Sequence, residues 1–582
     1  MNKELNYKTK DFWKKKALNL IWERQFDKVF EFRKNNSHNW FLNGKINIYK
    51  NLIEKNLLIN PNKIGISCIT KNKKITEYSY KKIDILVKKF ENIILNFQSK
   101  KKINKIMIHA SASEESFVSM LTCSKLGIEF SVLFENLESE AILNRIIIFK
   151  PDLFLTRLQK KEFYRKNFNY LKRIKKNTEL IFFENLNKKK KINANNKIKK
   201  KYSVDSNKNF FTLFTSGSTG QPKGICHNVG GYLTYSLFTT KSQFGAGKDS
   251  IILTASDAGW INGHTYAFFA PLLIGAETIL IEDPFLLLDE NFLIKIIKKK
   301  KISILYLPVT IVRVMKSLFK RKSINKLSLK TIGSMGEHLA PDVGKWYSNY
   351  FSLKNKPIIN TYFQTETGGI VFSPKYNEKI KISPHGSVGS IIPGIKFNPL
   401  KSKEKKEIML TSPFPGLMKK VINSKKEHNK YFDKKNNFRM FDLATLYKKK
   451  VYVHGRIDDV INIRGHRIGC AEIEKIVLKN ADITETAAVA VPHKLEGSVI
   501  ILFVQTKKIN LDNKINKMIL SNFGSFAIPK KIYYLSELPK TRSGKILRRL
   551  LRNLYERKNK IGDISTIKNK KIINEIKKKI ND

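Results

Sequence analysis

Cysteine is scarce: Cys68, Cys123, Cys226 and Cys470 are the four in 582 residues. They lie far apart and form no CxxC pair. That excludes a disulfide scaffold and the common zinc motifs, and it fits a reducing compartment. Long apolar runs are missing as well. The longest stretch, Ala267 to Ile281, is broken by Pro271 and Glu277 and is too short to span a bilayer. The start, MNKELNYKTKDFWKKK, has no apolar core and does not read as a signal peptide, so the expected location is the cytoplasm. Acidic residues are few, 49 against 110 Lys+Arg, for a formal net charge of +61. Arginine is sparse within the basic set, at 17 residues.

A charge this positive first suggests nucleic acid or an anionic membrane. A chain that grips nucleic acid is expected to use Arg for bidentate contacts and to focus its charge. Here Lys is spread almost everywhere alongside Ile and Asn, as in KKKKINANNKIKKK at 188–201. We read this as compositional drift on exposed faces, with no specific nucleic-acid partner and no membrane span. A basic nucleic-acid-binding protein is the alternative from a different class; neither a focused basic face nor RNA-type aromatic motifs support it. The arginines are not spread evenly, for nine of the 17 lie between Arg439 and Arg557.

What is present is apolar material for more than one core, with 42% hydrophobic and 11% aromatic residues. From about residue 61, short apolar runs alternate with amphipathic stretches. KINKIMIHA reads as a buried strand, SEESFVSMLTCSKLG as a helix ending near Gly127, and IEFSVLF as the next strand. The alternation continues through SIILTAS, AETILI, ISILYLP and KTIGSMG. Strands alternating with helices predict an α/β fold of parallel sheets covered on both faces. Residues 188–207 read as a low-complexity solvated insertion. Residues 556–582 read as a Lys-rich tail, a helix or a loose end with no clear apolar face after Ile564.

The strongest chemical signal is FTLFTSGSTGQPKG at 211–224. A buried strand leads into Thr215, Ser216, Gly217, Ser218, Thr219 and Gly220, and then into Lys223. Small residues let backbone N–H groups approach an anion, hydroxyls add donors and the lysine adds a point charge, as a polyphosphate requires. A Walker A loop does not fit. Counted from Gly217, Pro222 replaces its second Gly, and Gly224 stands where its Ser/Thr belongs. Nor does a Ser/Gly linker commonly follow a buried strand with a Pro-Lys-Gly ending.

TSGSTGQPKG resembles the phosphate loop of the acyl-adenylate-forming enzyme superfamily. TYFQTETGG (361–369) is similar to its second nucleotide motif. FDLATLYKKKVYVHGRIDDVINIRGHRIGCAEIE (441–474) is similar to its ribose-binding strand, hinge and lid, and LPKTRSGKILRRLLR (538–552) to its catalytic-lysine motif. Within the superfamily, NWFLNGKINIYKNLIEKN (39–56), TASDAGWINGHTYAFFAPLLIGAETILIE (254–282) and GHRIGCAEIE resemble the acetyl-CoA synthetase (AMP-forming) branch. The resemblance covers roughly residues 35–555.

It implies a large N-terminal AMP-binding domain over 1–457 and a smaller, mobile α+β lid over 458–555, pivoting at Asp458. It implies ATP, CoA and Mg²⁺. Activation joins a carboxylate to the α-phosphate of ATP, so cationic groups must meet developing oxyanion charge. Lys545 matches the residue that bridges the two, and its acylation by a modifying enzyme would remove that charge. Asp442 matches the ribose ligand, Arg456 a contact to ribose or phosphates, and Arg467 belongs to the same nucleotide set. Gly336, Glu337, His338, Asn360, Thr361 and Tyr362 match the adenine pocket, with Tyr362 stacking on the base and Phe363 and Gln364 beside it. Thr365 matches an α-phosphate contact and Glu366 the Mg²⁺ ligand, where one carboxylate suffices because magnesium keeps most of its waters. Gly465 matches the pantetheine tunnel, and Arg145 is a candidate for the CoA 3′-phosphate.

Trp260, Ile261, Asn262, Met335 and Phe363 match the acyl pocket. Here the sequence departs from the branch: Phe363 stands for Trp, Ile261-Asn262 for Val-Thr and Met335 for Val. His338, Asn360 and Arg464 replace Pro, Asp and Ser. The implied activity is ligation of a short carboxylic acid to CoA through an acyl-AMP, with release of AMP and pyrophosphate. Acetate is expected first and propionate next, with acetoacetate or a longer acid as the alternative. Intact Lys545, Asp442, Arg456 and Glu366 argue against a ligase that has lost its activity.

Overall fold

Strands with no solvent-facing side dominate the larger part of the chain. Every residue of Glu277–Ile281 and of Thr331–Met335 is buried, the pattern of a sheet covered on both faces. The structure is a computed structural model. It describes residues 5–33, 37–99, 101–135, 137, 139–167, 174, 178–184, 202–216, 222–378, 386–402, 404–422, 424–457, 460–463, 466–493, 497–541, 544–558, 564 and 567–582. The chain divides into two units, one of residues 1–216, 222–397 and 410–438, the other of residues 217–221, 398–409 and 439–582.

The first unit contains two seven-stranded sheets. One runs Ile359–Asn360, Thr331–Met335, Ile304–Pro308, Ile251–Thr254, Glu277–Ile281, Ile64–Ile69 and Ile75–Ser79. It is parallel except for its last strand. Helices with one apolar face cover it. In Glu290–Lys300, Leu293, Ile296 and Ile297 are buried at helical spacing, and Lys295, Lys298 and Lys299 lie on its exposed side.

The other sheet has the order Lys420–Ile422, Pro222–Asn228, Asn209–Ser216, Glu129–Leu133, Lys105–His109, Leu153–Thr156 and Glu179–Phe182. Its helix Glu114–Leu126 is buried from Ser116 to Ser124 and ends at Gly127 with φ +65°, a left-handed cap that glycine adopts without strain. This sheet departs from the parallel expectation at one edge. Asn209–Ser216 and Pro222–Asn228 pair antiparallel, with Ser216 opposite Pro222. The five residues between them are too few for the crossover that a parallel pair needs.

In the second unit, Glu485–His493, Gly497–Gln505 and Lys531–Leu535 form one sheet. Ile501, Phe503, Leu551 and Ile576 share a core cluster. The boundary expected at 457/458 falls inside this unit. Asp442 to Tyr447 pairs with Lys450 to Arg456, and Lys405 and Glu472 form an ion pair beyond that hairpin. The tail takes the helical one of its two expected forms, with an apolar face that was not expected. Lys571–Asn581 is a helix with Ile572, Ile573 and Ile576 buried, an apolar face masked in the sequence by the lysines that flank it.

Candidate active site

In the first unit, three parallel strands of one sheet deliver candidate residues at their carboxyl ends, where open α/β sheets bind ligands. Thr331–Met335 leads into Gly336, Glu337 and His338. Ile359–Asn360 leads into Thr361 to Glu366. Ile251–Thr254 is followed by Trp260, Ile261 and Asn262. Gly336 has φ +88° with open space where a Cβ would stand, and His338 is exposed. Glu337 forms an ion pair with Arg313 at 3.0 Å.

The turn at 361–368 is tied down at nearly every residue. Thr361 Oγ1 and Tyr306 Oη are 2.5 Å apart. Asn360 Oδ1 accepts from Ser334 at 3.0 Å, and its Nδ2 donates to the Ser387 carbonyl at 2.8 Å. One oxygen lone pair of Asn360 is therefore used within the fold. The Tyr362 N–H donates to Phe372 O at 2.9 Å, the two rings lie 5.9 Å apart, and Gln364 Nε2 reaches Tyr362 Oη at 3.4 Å. Phe363 is half-buried and sits edge-on to Tyr266, 5.8 Å between ring centroids. Thr265 Oγ1 donates to Gly368 O at 2.9 Å. Gly368 has φ +65°, and a Cβ there would meet the Gly416 carbonyl oxygen at 2.4 Å.

Two residues that sequence reading missed hold the acidic centre of this turn. His227 Nε2 lies 2.8 Å from the Thr365 carbonyl. Burial lowers its pKa to about 4, so the ring is neutral and donates. Tyr431 Oη donates to Glu366 Oε1 at 2.5 Å, and the Met418 N–H donates to Glu366 O at 2.7 Å. Glu366 is buried, yet only one carboxylate oxygen is taken by Tyr431. His227 was legible only as a residue three positions past Gly224; Tyr431 carries no local signal.

Around the phosphate-loop sequence, Thr215 stands opposite Lys223. Gly217, Ser218, Thr219 and Gly220 lie outside the described residues, as do Asp458, Arg464 and Gly465. Lys223 forms an ion pair with Glu427 at 2.9 Å and lies over the Tyr431 ring at 5.2 Å, so a carboxylate already faces its charge. Gly224 serves the sheet: a Cβ there would strike Ile422 at 2.5 Å. Arg145 is 3% exposed. It donates to the Ala141 carbonyl at 2.9 Å and lies over Phe214 at 5.7 Å; its guanidinium is an interior group.

Among the acyl-pocket candidates, Ile261, Asn262 and Met335 are buried. Trp260 is half-buried and packs on Phe134 at 5.1 Å.

In the second unit, strand register sets Asp442 directly opposite Arg456. Neighbours in that relation have Cβ atoms about 5 Å apart. The Arg456 guanidinium lies over Phe441 at 5.5 Å. Arg467 is in the strand His466–Gly469, opposite Asn462. Lys545 is exposed at the end of a tight turn. Its N–H donates to Thr541 Oγ1 at 3.1 Å and its carbonyl accepts from the Thr541 N–H at 2.8 Å. Gly544, with φ +87°, makes that turn possible. Next to it, Arg548 forms a bidentate pair with Glu474 at 2.7 and 2.6 Å.

Among the described residues no helix is long and apolar enough to cross a membrane, and no group of three metal-ligating side chains is present. The comparisons with known proteins agree along the chain. Residues 54–409 match the AMP-binding enzyme family, 472–545 its C-terminal domain, and 1–52 the acetyl-coenzyme A synthetase N-terminus. An acetyl-coenzyme A synthetase of Magnetococcus marinus is 30% identical, covering 97% of this chain and 93% of its own length. One of Psychromonas ingrahamii is 28% identical over the same shares. Among solved structures, an acetoacetyl-CoA synthetase from Streptomyces lividans shares the fold with a TM-score of 0.81 at 16% identity, covering 99% of this chain and 93% of that one. The chain therefore belongs to the AMP-binding enzyme family, in its acetyl-coenzyme A synthetase branch, and is an AMP-forming acid–CoA ligase.

Proposed function

We propose that the acid is short, with acetate first and propionate next. The named relatives, similar over nearly the full chain, support that choice. The observation that carries the site reading is the clamped turn at 361–368. Its residues emerge from a parallel strand's carboxyl end and are immobilised by His227, Thr265, Met418 and Tyr431. Rigid support of this kind holds reacting anions without reorganisation.

In this reading Tyr362 and the Gly336–His338 loop hold adenine. Asp442 accepts from the ribose hydroxyls, Arg456 and Arg467 contact ribose or phosphates, and Thr365 meets the α-phosphate. Lys545 supplies the positive charge that lets the carboxylate oxygen approach the α-phosphate, and Trp260, Ile261, Met335 and Phe363 exclude water from the acyl group. Glu366 fits a magnesium ligand: it is a hard carboxylate, positioned by Tyr431, with an oxygen to spare. The metal would neutralise phosphate charge. Asp458 is the hinge and Gly465 the CoA-tunnel residue. The interior position of Arg145 argues for a structural part instead of contact with CoA.

The test is AMP formation by the full chain with ATP, Mg²⁺ and CoA, across acetate, propionate, butyrate and acetoacetate. Turnover with acetate or propionate is expected. No turnover with any of them, from folded protein that binds ATP, overturns the short-acid reading. Lys545→Ala is expected to lose ATP–pyrophosphate exchange while keeping CoA binding; normal exchange would remove Lys545 from the mechanism.

A further inference from the structure

Asn262 is 6% exposed, and both its side-chain Oδ1 and Nδ2 are buried without a hydrogen-bond partner among the described residues. A primary amide carries two donors and an oxygen with two lone pairs, so the whole hydrogen-bonding capacity of the group is unused. Buried polar atoms are almost always paired, and leaving one unpaired costs about 1–3 kcal/mol. Neighbouring polar groups are committed elsewhere. Thr265 bonds Gly368 and Tyr232. Tyr266 accepts from the Ile370 N–H and meets Thr239. His264 Nε2 also has no hydrogen-bond partner among the described residues, but residues two apart on a helix do not face each other. Its ring stacks on Phe130 and packs against Phe211.

The position of Asn262 says what the amide is for. It lies four residues before Tyr266 and so shares a helical face with it. Tyr266 packs against Phe363, the residue that follows the clamped strand end. Of the other candidate pocket residues, Ile261, Met335 and Phe363 offer no hydrogen bond, and Trp260 offers a single indole N–H donor and no acceptor. An acetyl or propionyl group would leave the amide unpaired; an oxygen on the acyl chain would pair with it.

We propose that Asn262 makes this ligase select short carboxylic acids bearing a carbonyl or hydroxyl oxygen on the acyl chain over apolar acids of the same size. This rests on the short-acid reading of the pocket and revises its order, placing an oxygen-bearing acid ahead of propionate. A site built to hydrogen-bond a substrate group rejects the analogue that lacks it far more strongly than an apolar pocket rejects one methylene.

The experiment compares kcat/KM for size-matched pairs, glycolate against propionate and acetoacetate against isovalerate, in the full chain and in Asn262→Leu and Asn262→Thr. The expected result is a polar/apolar ratio above one in the native protein. It should fall by about tenfold or more in Asn262→Leu and by less in Asn262→Thr, which retains a hydroxyl. Asn262→Leu should unfold at no lower temperature, since it removes two unpaired buried polar atoms; if it fails to fold, Asn262→Thr carries the comparison. A native ratio of one or below, with acetate or propionate turned over normally, means that water alone satisfies Asn262. That overturns this inference and leaves the short-acid reading standing. An unchanged ratio in both variants also overturns it. Absence of turnover with every acid in folded, ATP-binding protein overturns both.

Discussion

Replacing Tyr431 by Phe removes one hydroxyl from beneath the proposed magnesium ligand. The ring is expected to stay, because it stacks on Phe438 at 5.6 Å with planes 12° apart. The loss is the hydrogen bond to Glu366 Oε1 at 2.5 Å. A bond to a charged acceptor is worth about 1.5–3 kcal/mol, which is about 10- to 150-fold in an equilibrium constant. Partners that orient a metal ligand typically contribute about 10–100-fold in metal affinity, so the two estimates overlap. The assay is ATP–pyrophosphate exchange titrated with Mg²⁺. The half-saturating Mg²⁺ concentration should rise by about tenfold or more, with most of the rate recovered at saturation. Tyr447→Phe, an exposed tyrosine, is the control and should shift nothing. A variant with unchanged Mg²⁺ dependence and reduced thermal stability would refute the reasoning: Tyr431 would be a packing residue, and Glu366 would lose its assignment to the metal.

Asp442→Asn is expected to raise the KM for ATP by tenfold or more with little change in fold, since the cross-strand register with Arg456 is set by backbone pairing; an unchanged KM would remove Asp442 from the nucleotide site. Gly368→Ala should destabilise the first unit by more than about 1 kcal/mol, because the backbone has φ +65° and a Cβ meets the Gly416 oxygen at 2.4 Å; chemical denaturation measures it. His227 is held neutral, with its pKa lowered from 6.5 to about 4 by burial. The unfolded chain thus binds the extra proton between those values, and stability should fall as pH drops from about 6.5 toward 4. His227→Gln should flatten that slope, and an equal slope in both proteins would contradict it. Ile576→Ala should cost about 2–5 kcal/mol. All five tryptophans lie in the first unit, so amide exchange in Lys531–Leu535 is the probe to use. Unchanged protection there would show that the terminal helix does not support that sheet.

Contiguous stretches were legible wherever the pattern is local. The runs at 105–109, 251–254, 277–281, 304–308 and 331–335 are strands because short β-rich segments between turn residues have few other options. The cap at Gly127 followed from glycine's access to positive φ. The lysines misled at the tail, where Ile572, Ile573 and Ile576 form a buried face. The parallel expectation failed at Pro222–Asn228, because chain length between strands, not composition, decides their direction.

By itself the sequence determined the family and the order of its motifs, since each motif is a run of neighbouring residues whose spacing can be counted. Tertiary structure alone decided what each side chain meets. It set Tyr431 against Glu366, 65 positions away, and His227 against Thr365, 138 positions away. It turned Arg145 inward, gave Lys223 a carboxylate partner and left Asn262 buried with nothing to bond among the described residues. Pairings of this kind depend on which surfaces the packed sheets and helices bring together, and no local period encodes them.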